Sequence, residues 1–209
     1  MIKVCLVNGS PSGKTATSLV FLKDLDRFLD DTVFQKEYVS LNLKAGEANP
    51  ASVIAIIGGS DALVFSFPLY AYTLPAAFTR LLEDYYKQNG DRRAGDGATR
   101  VYAIVNSGYP VPGVNFEALQ VMRNFCRRAG LTWRFGVAIG GGLVVAMTRN
   151  IPLVKRKLRK AYGLIKADIL EQGKKDLDDI SIKPVIPRRM MIYMKDSRWA
   201  KRYMERRPK

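Results

Sequence analysis

Ile2-Lys3-Val4-Cys5-Leu6-Val7-Asn8-Gly9-Ser10-Pro11-Ser12-Gly13-Lys14-Thr15-Ala16-Thr17-Ser18 opens the chain and sets its class of structure. Residues 2–8 form an apolar run closed by a Gly-Ser-Pro-Ser-Gly turn, the mark of a strand buried on both faces. Leu19, Val20, Leu22, Leu25, Phe28 and Leu29 then recur at helical spacing, predicting a helix over 17–29. A buried strand, a small-residue loop and an amphipathic helix are the first half of a parallel β–α–β unit.

The same alternation continues outward. Strands are predicted at 33–41, 62–67, 100–106 and 131–139, and helices at 50–58, from Pro75 to about Tyr86, at 114–129 and at 151–171. Asn49-Pro50 opens the second helix by the cap-then-proline rule, and Gly58-Gly59 ends it. The segment 88–98 reads as an exposed loop. Five strands, each followed by a crossover helix, predict an α/β fold: a parallel sheet with helices on both faces. Such sheets bind ligands beyond the carboxyl ends of their strands. The chain of 209 residues reads as one domain over 1–172 with a basic extension over 173–209.

Composition removes whole classes of chemistry. There is no histidine, which excludes Ser-His-Asp hydrolysis, Cys-His nucleophiles and imidazole zinc sites. Cys5 and Cys126 lie in apolar patterns and read as buried thiols, not a disulfide framework. The short apolar run before Asn8 is too brief for a secretory core, and Pro68 and Pro75 interrupt the uncharged stretch 62–79. A cytoplasmic protein is expected. The net charge of +15 divides unevenly, with 10 basic and 11 acidic residues over 1–99 and 24 against 8 over 100–209. An anionic partner is expected of the second half.

The loop after strand one carries the densest signal. Its hydroxyls, backbone N–H groups and the helix N-terminus that follows suit an anion, with Lys14 adding a full positive charge. A P-loop requires G-x-x-x-x-G-K-[ST], and Asn8 stands where the first glycine belongs before Gly13-Lys14-Thr15. Such an enzyme also needs an acid at a strand end, but strands three, four and five end in Ser66-Phe67-Pro68, Asn106-Ser107-Gly108 and Gly140-Gly141-Gly142. The loop Pro68-Leu69-Tyr70-Ala71-Tyr72-Thr73-Leu74-Pro75 is apolar and aromatic, suiting a planar heteroaromatic ring. Glycines at 108 and 140–142 would let backbone approach a flat ligand. No G-x-G-x-x-G occurs.

Asn8-Gly9-Ser10-Pro11…Thr17 followed by Pro68-Leu69-Tyr70…Leu74-Pro75-Ala76 resembles the flavodoxin-like NAD(P)H-dependent FMN reductase family. Asn106-Ser107-Gly108-Tyr109-Pro110, Arg123-Asn124-Phe125-Cys126 and Gly140–Gly142 are similar to that family's second half. The resemblance implies a three-layer αβα sandwich with strand order 2-1-3-4-5. It implies FMN as cofactor, with Ser10, Ser12, Thr17 and Ser18 at its phosphate and Lys14 adding charge. Pro68, Leu69, Tyr70 and Ala71 would flank the isoalloxazine, with Asn106, Ser107 and Gly108 on the other side. Ala16 replaces the family's usual Asn before the cradle threonine. The implied activity is hydride transfer from NAD(P)H through FMN to a small acceptor such as a quinone, with the chemistry borne by the cofactor. The alternatives are a P-loop-like nucleotide enzyme using Gly13-Lys14-Thr15 and a non-catalytic flavodoxin-like electron carrier.

The basic half ends distinctively. Residues 155–160 read KRKLRK on a helix, and Arg188-Arg189-Met190-Met191-Ile192-Tyr193-Met194 precedes Trp199 and Tyr203. Cations mixed with aromatics and methionines suit packing on a partner subunit in a homodimer, or peripheral contact with an anionic membrane. No nucleic-acid reader motif is present, and nucleic acid is not the expected partner.

Overall fold

The computed structural model describes residues 1–41, 50–89 and 99–185. The elements in chain order are β1 (Ile2–Asn8), α1 (Thr17–Asp26), β2 (Phe34–Ser40), α2 (Pro50–Gly58), β3 (Ala62–Pro68), α3 (Ala76–Asn89) and β4 (Arg100–Asn106). They continue with α4 (Phe116–Ala129), β5 (Thr132–Ile139), α5 (Gly142–Met147), α6 (Pro152–Leu170) and β6 (Ile180–Ile182). All strands pair in parallel, in the order β2-β1-β3-β4-β5-β6. The order begins as the resemblance implies.

Two apolar layers hold the sheet. Phe78, Leu81 and Leu82 of α3, with Val53, Ile54 and Ile57 of α2 and Leu119 and Met122 of α4, pack on one face. Phe21, Leu22 and Leu25 of α1, with Val145 of α5 and Leu158, Tyr162 and Ile165 of α6, pack on the other. Residues 63–67 and 101–106 are buried throughout, which is why the inner strands read as continuous apolar runs. Lys36 joins β2 to α1 by an ion pair to Asp26 at 2.9 Å and a bond to the Leu29 carbonyl at 3.0 Å.

Five strands were expected and six are present. β6 lies inside the stretch 173–209 set apart by the sequence, and pairs Ile180 with Val137 through Ile182 with Ile139. Side chains off the ladder hold it: Asp179 accepts from the Gly136 N–H at 2.6 Å and from Arg123 at 3.3 Å. α6 shares a face with α1, yet β6 extends the sheet in the direction of β3, β4 and β5. The β5–α6–β6 connection therefore has the opposite hand to the other crossovers, against a right-handed preference of about 98%.

Away from the carboxyl ends of the strands, one charged cluster ties β4, β5 and α6 together. Arg134 donates from Nε to Asp168 Oδ2 at 2.8 Å and from its terminal nitrogen to Oδ1 at 3.0 Å, a bidentate pair. The Tyr102 hydroxyl donates to the same carboxylate at 2.8 Å. Burial and the adjacent Asp168 charge raise the Tyr102 phenol well above its ordinary value of 10.0.

Candidate functional site

Strand register brings the carboxyl ends into one row. Asn8 pairs with Ser66, Pro68 with Asn106, and Asn106 with Ile139. The loops after β1, β3, β4 and β5 therefore emerge side by side, the edge where open parallel sheets take ligands.

The loop after β1 is shaped by its first residue. The Asn8 side chain, fully buried, donates to the Gly13 carbonyl and to Ser40 Oγ, each at 3.2 Å, and accepts from the Ser10 N–H at 3.2 Å. Gly13–Thr15 form a single 3-10 turn, with Gly13 at φ 52°, a value that favours glycine. Ser12 N–H donates to Ser10 Oγ at 3.3 Å, Gly13 N–H to the Ser10 carbonyl, and Thr15 N–H to the Ser12 carbonyl, each of the last two at 3.2 Å. Lys14 is exposed. α1 then begins at Thr17 with Ala16 as its N-cap and no side-chain cap. The Leu19 N–H bonds to the Ala16 carbonyl at 3.1 Å, and with no side-chain cap the N–H groups of Thr17 and Ser18 are left to another acceptor, which an anion suits.

Two of the anticipated site residues meet each other instead of facing outward. Asn106 donates from Nδ2 to Ser18 Oγ at 2.7 Å and to the Phe67 carbonyl at 3.1 Å, and both side chains are buried. Ser66 donates to the Ser18 carbonyl at 2.8 Å. Asn106 thus fixes the start of α1 against the ends of β3 and β4. Ser107 is buried, with its N–H bonded to the Ile139 carbonyl at 3.1 Å, while Gly108 is exposed beside open space.

After β3 the chain makes a two-residue hairpin. Tyr70 and Thr73 exchange both backbone bonds, at 3.0 and 2.9 Å, around Ala71 at φ 46° and Tyr72 at φ 63°. Two successive left-handed residues are the geometry of a type I′ turn, normally built from Asn and Gly. Ala and Tyr there hold the backbone in strained conformations, which persist only when surroundings over-determine them. The turn lifts Tyr72 across to Tyr109 of the β4 loop, where the rings stack with centroids 5.8 Å apart and planes 20° off parallel. Tyr70, Tyr72 and Tyr109 are each 42–58% exposed. The neighbouring Tyr109 hydroxyl raises the Tyr72 phenol.

The glycines after β5 work differently from expectation. A Cβ on Gly140 would lie 2.5 Å from the Pro110 carbonyl oxygen, and one on Gly142 would lie 2.8 Å from Asn106 Cβ. These two positions let the β4 loop and the Asn106 side chain close in, so the space is filled by protein. Gly141, at φ 58°, turns the chain into α5, an element absent from the sequence reading. Asn8 and Asn106 play matching structural parts at two strand ends, and their sequence signal is the motif Val-Asn followed by Gly-Ser or Ser-Gly, at 7–10 and 105–108. The chain offers no activated thiol: burial, with a smaller push from Glu37, raises Cys5 to about 12, and burial raises Cys126 further. No described helix is long and apolar enough to cross a membrane.

No protein-family model matches the chain, and no curated protein matches it. Among solved structures, the chain is similar to an NAD(P)H:quinone oxidoreductase from Methanothermobacter marburgensis. That match has 14% identity and TM-score 0.60, covering 81% of this chain and 97% of the other. It is similar to an NADH:FMN oxidoreductase in its apo form, at 13% identity and TM-score 0.59, over 80% of this chain and 90% of the other. A general stress protein 14 in complex with FMN, from Treponema denticola, matches at 16% identity and TM-score 0.56, over 81% and 99%. At these identities the likeness establishes the fold: this chain has the flavodoxin-like αβα arrangement.

Proposed function

We propose that the protein is an FMN-dependent oxidoreductase of the flavodoxin-like NAD(P)H-dependent FMN reductase family, passing hydride from NAD(P)H to a small acceptor such as a quinone. One observation carries this reading: the uncapped start of α1 and the exposed tyrosines of the β3 and β4 loops share one sheet edge. The names of the similar structures point the same way.

The residues present fit FMN. A phosphate monoester suits hydroxyls at Ser10, Ser12 and Thr17 with the N–H groups of Thr17 and Ser18, and the exposed Lys14 adds a screening charge. Ser18, whose hydroxyl is engaged by Asn106, contributes to that cradle by fixing where α1 begins. Pro68, Leu69, Tyr70 and Ala71 would border a flat ring on one side and Gly108, beside open space, on the other, with the buried Asn106 and Ser107 supporting the backbone beneath it. When bound, FMN supplies the hydride-accepting and hydride-donating chemistry. The chain's part is to hold the phosphate, orient the ring and shield it, and neither a histidine nor a low-pKa thiol is needed.

The magnesium-nucleotide reading gains no support from the geometry. N–H groups of Gly13, Thr15 and Ala16 are bonded within the loop, and Pro68, Asn106 and Ile139 end their strands without a carboxylate. Purified protein incubated with FMN should retain it through gel filtration, and NADH or NADPH should bleach the bound flavin without oxygen. Failure to retain any flavin sinks the proposal, and retention without bleaching favours an electron carrier. Thr17→Val should weaken FMN by at least about tenfold but riboflavin little, because a hydrogen bond to a charged group contributes about 1.5–3 kcal/mol.

A further inference from the structure

We propose that the face built by the end of α5 and the first half of α6 is a docking surface for an anionic lipid bilayer. Lys155, Arg156, Arg159 and Lys160 are all exposed on α6. They fall in two i, i+4 pairs and so form one continuous stripe. Among the described residues no carboxylate forms an ion pair with any of the four, and the nearby Asp24 is already paired with Arg27 at 3.0 Å and Arg149 at 3.4 Å. At the head of the stripe stand three large apolar side chains in solvent: Met147 at 52%, Ile151 at 49% and Leu153 at 39% exposed.

This combination selects among partners. A nucleic-acid backbone would engage the cations but gives exposed Met, Ile and Leu side chains nothing to pack against. A second copy of the chain docked face to face would set four cations against four. An anionic bilayer satisfies both parts, with phosphates against the stripe and acyl chains beneath the apolar tip.

Placement in the fold agrees. The C-terminal end of α6 meets Tyr102 through Asp168, in the half of β4 remote from the ligand edge, so α6 starts at the carboxyl edge of the sheet. β6 runs parallel to β5 and ends there too, with the Gly140 N–H bonded to the Ile182 carbonyl at 3.0 Å. The described residues end at Val185, three residues past β6, and a further stretch of sequence follows. That sequence, 186–209, repeats the chemistry of the face, with nine Lys and Arg against two acids and with Met190, Met191, Met194, Trp199 and Tyr203.

The test is co-sedimentation of the full-length protein with vesicles of phosphatidylcholine alone, and of phosphatidylcholine mixed with phosphatidylglycerol. Wild-type protein should bind the mixed vesicles, bind neutral ones weakly, and be released by salt. Combining Lys155→Gln, Arg156→Gln and Lys160→Gln should weaken binding about a hundredfold, at about fivefold per cation, each contributing about 1 kcal/mol. Ile151→Ser with Leu153→Ser should remove the part of the binding that survives high salt. All five positions are exposed, and an unchanged thermal melt confirms that each variant is folded. Absence of binding to the mixed vesicles overturns the proposal. So does binding that the face variants leave unchanged, which would assign it to 186–209 alone. Tight binding to duplex DNA that the lysine and arginine changes abolish, or a change of oligomeric state in place of vesicle binding, also overturns it.

Discussion

Two buried polar clusters pin this sheet, and they are built from opposite materials. Along the carboxyl edge, Asn8, Ser10, Ser18, Ser66, Asn106 and Ser107 are buried and neutral, joined by amide and hydroxyl hydrogen bonds. The other cluster, Arg134–Asp168–Tyr102, rests on a formal charge pair. Placing a carboxylate among the strand ends would repel an anionic ligand at short range. Uncharged pins fix the same backbone positions without that field, and the anion cradle proposed at the start of α1 keeps its positive bias. The ionic cluster lies remote from that cradle, where its charges do no harm.

Breaking each cluster should show how unlike they are. Asp168→Ala leaves the Arg134 guanidinium and the Tyr102 hydroxyl without their shared acceptor in the interior, and should cost about 3–5 kcal/mol in urea unfolding. Replacing Arg134 and Asp168 together by Met and Leu should cost less than the single change, because no charge is stranded. Asn106→Ala strips the donor from Ser18 Oγ and the Phe67 carbonyl, neutral groups, and should cost about 2–3 kcal/mol. Unlike Asp168→Ala, it should also weaken flavin retention more than its stability loss accounts for.

pH sharpens the contrast. The folded-state value of Tyr102 is raised above 10.0, so its contribution is complete below pH 10 and is lost as pH rises further. Denaturation curves should show stability falling above pH 10 by up to about 1.4 kcal/mol per unit from this group. Tyr102→Phe should remove its own share of that slope, leaving the part from the likewise raised Tyr38 and Tyr162, whereas Asn106→Ala should leave it intact. Cys5 adds a decline of the same sign from its ordinary 9.0 towards about 12. The smallest effect belongs to the aromatic hairpin: Ala71→Gly should stabilise the fold by about 1 kcal/mol, because a left-handed alanine costs roughly 1–2 kcal/mol. If the strained turn serves the ring site, the same change should loosen flavin binding.

The inner strands and their helices were readable because burial on both faces writes a continuous apolar run, and one buried face writes a 3.6-residue period. β1, β3, β4 and β5 each begin and end within about a residue of expectation by that rule. β6 escaped because Ile180-Ser181-Ile182 is too short to carry a period. It is held by Asp179 on the Gly136 N–H and Arg123, contacts more than forty residues away in the chain. The site was legible as a composition of loops, but not as a division of labour. Ser18 and Ser10 look alike in sequence, and only the strand register brings Asn106 within 2.7 Å of one of them. Tyr72 was legible as an aromatic, whereas its stack on Tyr109 depends on positive φ angles that no local preference of Ala or Tyr announces.

The modest strand β6 has a consequence for how the protein behaves in company. Without it, the Val137–Ile139 end of β5 would present bare N–H and C=O groups beside an all-apolar run, an open template for another molecule's strand. Three residues suffice to occupy that ladder, and at three residues the new margin is itself too brief to recruit a neighbour. Among the described residues the opposite margin, β2, exposes Gln35, Glu37 and Tyr38 around the half-buried Lys36, so a strand adding there would have to cover charged side chains, which disfavours edge-to-edge aggregation at high concentration.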